Sequence, residues 1–264
     1  MINKSQKTKK NYAREGDKTS WGNEAIWYSN LLENDKDSYQ KNVILPNLLR
    51  IADFNNNDSV LEIACGSVYF TNEFSKKVKS VTGIDISPEL IDLAKSKNTK
   101  VKYLVSDAQD IKVLSNNSFD KIFIILAIQN ISNLLGVCKE ASRLMKDGGQ
   151  LFIVLNHPSF RIPKYSSWGY DEKGDWQYRR VDQYMTESKE KIDMHPGTDN
   201  KSFTTSFHRP IQSYFKALRN SGFVVLQLEE WISHKKSQKG SRKIAEDKSR
   251  KEIPMFMCLS AKKI

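Results

Sequence analysis

The chain predicts an α/β protein built on a doubly wound, mostly parallel sheet, and three observations predict it. Short β-rich runs alternate with amphipathic helical runs from Ser59 to Leu155. Strands end on small or acidic residues: Ala64-Cys65-Gly66 after the first, Asp85 after the second, Asp107 just past the third. The run Phe119–Leu126 is almost continuously apolar, as a strand covered by helices on both faces must be.

The elements follow in order. Residues 1–20 are Lys-, Asn- and Ser-rich with almost no apolar content, which predicts a disordered basic tail. Residues 21–57 predict a helical cover. Trp21, Ile26, Trp27, Leu31 and Leu32 recur at helical spacing, as do Val43, Leu45, Leu48, Leu49 and Ala52. Pro46 belongs in a first turn or at a kink. Residues 58–155 hold the core: strands at Ser59–Ile63, Ser80–Ile84, Val101–Val105, Phe119–Leu126 and Gln150–Leu155, and helices at 69–77, 88–96 and 134–145. Ser87-Pro88-Glu89 is a helix start, with Ser as the cap and Pro in the first turn. Asp147-Gly148-Gly149 is a helix stop. The rhythm breaks at Asn156. Residues 156–209 form an insertion rich in aromatics, charge, Pro and Gly, with short antiparallel strands expected at Tyr178–Met185, Lys191–His195 and Ser202–Phe207. Residues 210–264 return to the core with a helix at Pro210–Ser221 and last strands at Phe223–Trp231 and Pro254–Ala261.

A chain of 264 residues is long enough for one sizeable core with an elaboration. No window approaches the roughly 18 uncharged apolar residues of a membrane span, and the Lys-rich start lacks the apolar stretch of a secretory signal. Cys65, Cys138 and Cys258 lie in apolar segments without disulfide or metal-ligand spacing, which suits a reducing cytoplasm. The formal charge of +11 is concentrated: residues 1–18 carry +4 and residues 234–252 carry +5. Such segments are either solvated surface or a site for nucleic acid.

The turn after the first strand carries chemistry. Small residues at 64 and 66 allow close approach of a ligand to the backbone, and the following helix start offers free N–H groups to an anion. Asp85 lies nineteen residues beyond Gly66, where an acid can accept two hydrogen bonds from a ribose diol. Val60–Ser67, Thr82–Pro88, Val105-Ser106-Asp107-Ala108, Phe119–Ile122 and Leu144–Gly149 together resemble the ordered motifs of class I S-adenosylmethionine-dependent methyltransferases, over residues 58–155. The resemblance implies a Rossmann-like, seven-stranded sheet, S-adenosylmethionine as cofactor and methyl transfer as the activity. It implies that Glu62, Ala64, Cys65 and Gly66 shape the methionine end of the site. Asp85 would hold the ribose, Ile86 would pack on adenine, and Asp107 and Ala108 would read the adenine edge. Leu126, Ala127 and Gln129 would lie near the sulfonium. Trp27, Tyr28 and Tyr39 read equally as an aromatic cover for the cofactor and as ordinary helix packing. One departure stands out: Val68 occupies a position where the motif usually has Gly, which keeps open a degenerate, non-catalytic cofactor binder.

The acceptor is less legible. Methyl transfer from a sulfonium chiefly needs positioning, and a base only for poor nucleophiles. His157, His195, His208 and Arg209, all at element boundaries in or beside the insertion, are the candidate catalytic groups. Arg161, Tyr178, Arg179 and Arg180 are further candidates, and because Arg179 and Arg180 are neighbours in a strand, at most one faces a site. Phe160, Tyr165, Trp168, Tyr170, Trp176 and Tyr178 read equally as a pocket for a planar substrate and as the insertion's own core. Ala127-Ile128-Gln129-Asn130 stands where enzymes acting on adenine or glutamine amino groups carry an Asn/Asp-Pro-Pro-Tyr motif. No metal-ligand cluster is visible. The reading is O- or N-methylation of a small molecule. The alternatives are an RNA- or protein-directed enzyme using 1–18 and 234–252, and a nicotinamide oxidoreductase, which lacks support because no Tyr-x-x-x-Lys pair occurs.

Overall fold

The computed structural model describes residues 20–22, 24, 27, 35–66, 68–195, 199 and 201–264. The basic tail, Tyr28 and Ser67 therefore lie outside the described residues, Ser20 of the tail excepted. The core strands are β1 (Ser59–Ile63), β2 (Ser80–Asp85), β3 (Lys102–Val105), β4 (Phe119–Ile125) and β5 (Met145–Asn156), joined near the C-terminus by β10 (Phe223–Trp231) and β11 (Phe256–Lys263). They form one seven-stranded sheet in the order β10-β11-β5-β4-β1-β2-β3. All neighbours from β3 to β5 are parallel, and β11 runs antiparallel to both β5 and β10. The order reverses between β1 and β4, and a sheet of this kind binds its ligand at that reversal.

Alternation along each strand builds two cores. Leu61, Ile63, Ile122, Ile124, Leu151 and Ile153 join one apolar layer with the helices α4 (Leu134–Leu144) and α5 (Ile211–Arg219). Val60, Phe123, Phe152 and Val154 join the other, with α1 (Leu45–Ile51), α2 (Tyr69–Phe74) and α3 (Pro88–Lys97). In the second layer Phe123 stacks on Phe152 at 4.9 Å and on Phe54 at 5.6 Å.

Local sequence accounts for the ends of these elements. Ser87 caps α3 by accepting the Leu90 N–H at 3.1 Å, with Pro88 in the first turn. Pro46 is accommodated by a wide π-turn at Gln40–Ile44, in which the Leu45 N–H reaches back to the Gln40 carbonyl. β5 begins five residues earlier than its apolar run. Met145 already pairs with Phe119, and Gly148 takes the left-handed conformation (φ 77°) in the irregular stretch that follows.

The insertion corrects the expectation of three strands, because it holds two hairpins. β6 (Ser166–Asp171) pairs with β7 (Trp176–Val181), and β8 (Ser188–Asp193) pairs with β9 (Phe203–His208). β6, with the sequence Ser-Ser-Trp-Gly-Tyr-Asp, alternates only at Trp168 and Tyr170, too short a pattern to mark a strand, and its partner strand defines it instead. The basic segment 234–252 contains α6 (Lys243–Glu252). Phe123→Ala would empty the centre of the aromatic stack. A loss of about 4 kcal/mol is expected in urea unfolding, with the slope unchanged.

Candidate active site

The carboxyl ends of β1 and β4 lie side by side, and both leave the sheet through a left-handed residue: Ala64 at φ 56° and Leu126 at φ 53°. L-residues adopt this conformation reluctantly, and such strain clusters at functional sites. Gly66 follows at φ 54°, where a glycine bears no such strain. Its N–H donates to Asp85 Oδ2 at 2.9 Å, while the Ser87 N–H donates to Oδ1 at 3.0 Å. Burial raises the Asp85 pKa above the usual carboxylate range, and the N–H groups of Ser87, Gly66 and Ile86 oppose that rise. A carboxylate has about four lone-pair positions, so Asp85 retains acceptor capacity toward the space beyond β2.

That space is a cleft. Ala64, Asp85, Ile86, Asp107 and Ala108 line its core side. Lys189, Thr205 and Phe207 of the β8–β9 hairpin line the opposite wall. Gln109, Asn130, Ile131 and Ser132 complete it. Asp107 accepts the Gln109 N–H at 2.9 Å, and Gln109 Oε1 in turn accepts from Ser132 Oγ and the Asn133 N–H at 3.1 Å each. The short N-terminal turn Ser20–Gly22 reaches this edge as well. A Cβ on Gly22 would lie 2.5 Å from Glu89 Oε2 and 3.2 Å from Ser87 Oγ, so a side chain there would displace the Glu89 carboxylate. The hairpin residues went unnoticed in the sequence; strand parity in β9, with Thr205 and Phe207 on one face, is the signal that identifies two of them.

Near the β1 and β4 turns two buried oxygens lack donors. Glu62 is 2% exposed, and its Oε2 has no hydrogen-bond partner. Burial, then the charge of Asp85, push its pKa well up, although the Thr71 N–H stabilises the anion. Gln129 donates Nε2–H to the Leu126 carbonyl at 2.7 Å, which leaves its buried Oε1 unpaired. Unsatisfied acceptors are costly inside a protein and call for a donor or a cation. Burial, Asp85 and Glu62 hold the Cys65 thiol well above its ordinary pKa, so it is no nucleophile.

The remaining candidates lie elsewhere and do not converge. His157 is buried just past β5, with Nε2 2.6 Å from Glu230 Oε1 and Nδ1 accepting the Ser159 N–H at 3.2 Å; burial lowers its pKa. His195 pairs with Glu24 at 2.7 Å and meets Trp27 edge to face. His208 Nε2 bonds the Tyr184 carbonyl at 2.8 Å. Arg209 donates to the carbonyls of Ile131 and Ser132 at 2.8 and 2.6 Å, which fixes the cleft-lining loop after β4. Tyr39 lies on the β11 side of the sheet, packed on Phe256 and bonded to Ser233 Oγ at 3.1 Å. None of these five lines the cleft. Among the described residues no cluster of His, Cys, Asp or Glu can hold a metal ion, and no helix is long and apolar enough to cross a membrane.

Strand order, the β1 turn, Asp85 and Asp107 define a Rossmann-like α/β fold of the class I methyltransferase type. Residues 61–153 match the methyltransferase domain family, and this stretch is an S-adenosylmethionine-dependent methyltransferase domain of class I. The chain is 29% identical over 111 residues to a demethylmenaquinone methyltransferase of Tropheryma whipplei, covering 41% of this chain and 46% of that protein. It is 26% identical over 98 residues to a ubiquinone biosynthesis O-methyltransferase of Xanthomonas oryzae pv. oryzae, covering 36% and 41%. The matched region thus spans less than half the length of either relative. A solved S-adenosylmethionine-dependent methyltransferase of Mesorhizobium loti shares the fold, with a TM-score of 0.70, 20% identity, and coverage of 86% of this chain and all of that one. Another from Clostridium acetobutylicum gives a TM-score of 0.59 at 18% identity, covering 92% and 98%.

Glu62 provides a pH test of the site. Its raised folded pKa means that the protonated carboxyl stabilises the fold at low pH, and that this contribution is lost as pH rises through the folded value. Glu62→Gln, which cannot ionise, is therefore expected to melt above the wild-type, ligand-free protein at pH 8 and alongside it at pH 4. Thermal melts at the two pH values check this, and an advantage that shrinks toward pH 8 would contradict the assignment.

Proposed function

We propose that the protein transfers a methyl group from S-adenosylmethionine to an oxygen or nitrogen of a small-molecule acceptor. The observation that carries the reading is the pair of donor-less buried acceptors, Glu62 Oε2 and Gln129 Oε1, past or near the ends of adjacent strands. The methionine part of this cofactor brings an ammonium, with three N–H donors, and a sulfonium cation. The cleft itself fits its nucleoside: Asp85 has free acceptor capacity for ribose hydroxyls, and Ile86, Asp107 and Ala108 offer an apolar face and a polar edge.

The cofactor supplies an electrophilic methyl group on a good leaving group, so the chain's own task is to bind, orient and exclude water. Asp85, held by backbone amides, fixes the ribose without reorganising. Glu62 anchors the ammonium, and its carboxylate becomes favourable once that charge is present. Gln129, tied to the Leu126 carbonyl, presents its oxygen where positive charge would sit. In this reading the insertion, residues 156–209, covers the acceptor, with the β8–β9 hairpin forming one wall of the cleft. No histidine lines the cleft, which supports methylation by positioning rather than by a dedicated base.

A small acceptor is favoured over nucleic acid for two reasons. The named relatives act in demethylmenaquinone methylation and ubiquinone biosynthesis. Within the basic segment, Lys235, Arg242, Lys243 and Arg250, four of its eight Lys/Arg, are held in ion pairs with Asp37, Glu172, Asp247 and Glu246, which lessens the charge offered to phosphates.

Calorimetry with S-adenosylmethionine, S-adenosylhomocysteine and NAD tests the reading. Binding of both sulfur nucleotides is expected, weakened about tenfold to a hundredfold by Asp85→Ala; NAD binding in their place would overturn it. Val68 carries the question of a degenerate site. Its backbone stands at φ 10°, ψ −9°, outside the regular regions, yet its carbonyl accepts from Thr71 Oγ1 at 3.0 Å and the Asn72 N–H at 2.8 Å, so α2 starts from it all the same. Val68→Gly is expected to leave cofactor affinity within about threefold, well under the tenfold that ~1.4 kcal/mol represents. A large gain would favour the non-catalytic reading.

A further inference from the structure

Beyond β5, two arginines share one indole and have no acid. Arg161 follows the turn at 157–160, its N–H bonded to the His157 carbonyl at 2.8 Å. Its guanidinium lies over Trp168 at 5.5 Å, and its Nε is buried with no hydrogen-bond partner. Arg179 stands opposite Trp168 in the β6–β7 ladder and lies over the same ring at 5.2 Å. Arg179 donates Nε–H to the Phe160 carbonyl and Nη2–H to Ser166 Oγ, both at 2.8 Å. Its strand neighbour Arg180 points the other way, where it pairs with Asp182 at 2.6 Å.

Among the described residues neither Arg161 nor Arg179 forms an ion pair. Burial lowers both guanidinium pKa values, that of Arg179 to about 10, and the charge of Arg161 adds to the effect on Arg179. Such an arrangement is unusual, because buried charges are ordinarily paired. Other buried or half-buried cations of this chain obey the rule: Lys121 pairs with Asp58, Arg143 with Glu140, and Arg209 meets backbone carbonyls. Two like charges held together on one aromatic face, with unused guanidinium donors, lack an anion.

The location says which anion. Arg161 lies five residues past Asn156, where β5, the parallel neighbour of β4, ends at the carboxyl edge of the sheet. An adenine nucleoside is accounted for on the other side of the reversal, at β2 and β3. We infer that Arg161 and Arg179, backed by Trp168, bind an oxyanion group, carboxylate or phosphate, of the small molecule that receives the methyl group. The assignment of that molecule as acceptor rests on the methyltransferase reading; the oxyanion site itself does not. A guanidinium pair matches the planar two-oxygen face of such a group, and the indole favours an attached flat or apolar body.

Calorimetry on the full chain saturated with S-adenosylhomocysteine tests this, using benzoate, phenyl phosphate and benzamide as probes. At least one of the two anions is expected to bind and the neutral, isosteric benzamide is not; which anion binds tells carboxylate from phosphate. Arg161→Gln and Arg179→Gln are each expected to weaken the anion about tenfold or more, with S-adenosylhomocysteine affinity unchanged. Arg161→Lys, which keeps the charge but loses the fork, should fall between. Absence of anion binding, equal binding of benzamide, or an Arg161→Lys protein with normal melting and anion affinity no better than Arg161→Gln would overturn the site. If arginine-dependent anion binding persists while S-adenosylhomocysteine does not bind, the oxyanion site stands and the methyltransferase reading fails.

Discussion

The structure depends on one constraint: the central strands are covered on both faces. Helices on each side leave β1, β4 and β5 no wet surface, so their side chains are apolar almost throughout, and polar chemistry is confined to what lies beyond the carboxyl ends. Lys121 of β4, paired with Asp58, and Glu62 of β1 are the exceptions, and Glu62 is the one without a counter-charge. It is a carboxylate inside a buried strand, with one oxygen toward the start of α2 and the other unpaired. An acid in that position costs stability in the ligand-free protein, and a cationic ligand recovers it. Stability and binding are thus opposed at a single side chain.

The same constraint explains why the turns matter more than the helices. Ala64 and Leu126 bend sharply out of adjacent strands, and the freed amides of the β1 turn and of α3's start converge on Asp85. Asp85 has a structural role and a binding role that do not compete, because a carboxylate has enough lone pairs for both. On the far wall, Arg209 holds the loop after β4 by its carbonyls, so a residue from the insertion sets the shape of the core's cleft without facing it.

Charge distribution divides the insertion into two parts. The β8–β9 hairpin presents Lys189, Thr205 and Phe207 to the cleft and buries Thr204 and His208 behind them. The β6–β7 hairpin collects cations on Trp168 instead. The insertion's aromatics are therefore neither a plain pocket nor a plain core: Trp168 supports arginines, Tyr170 lies under Arg242 at 4.2 Å, and Trp176 and Tyr178 are largely exposed.

Local signals carry most of the core. The continuous apolar run of β4, the Ser87-Pro88 helix start and the small residues of the β1 turn act over a few residues, so the sequence alone determined the sheet's parallel character and its ligand edge. It also put Asp85 at the end of the second strand and Asp107 just past the third, and the structure has both lining the cleft. It did not determine what the histidines do. His157, His195 and His208 sit at turns where a base is plausible, yet their partners, Glu230, Glu24 and the Tyr184 carbonyl, are 73, 171 and 24 residues away. β6 was hidden for a related reason, since its pattern makes sense only against β7. Parity predicted that Arg179 and Arg180 part company; tertiary structure decided that Arg179 and Arg161, 18 positions apart, meet on Trp168 without a counter-ion. Hydrogen bonds and charges depend on distance in space, so the functions they assign are settled by packing, which periodicity along a chain does not record.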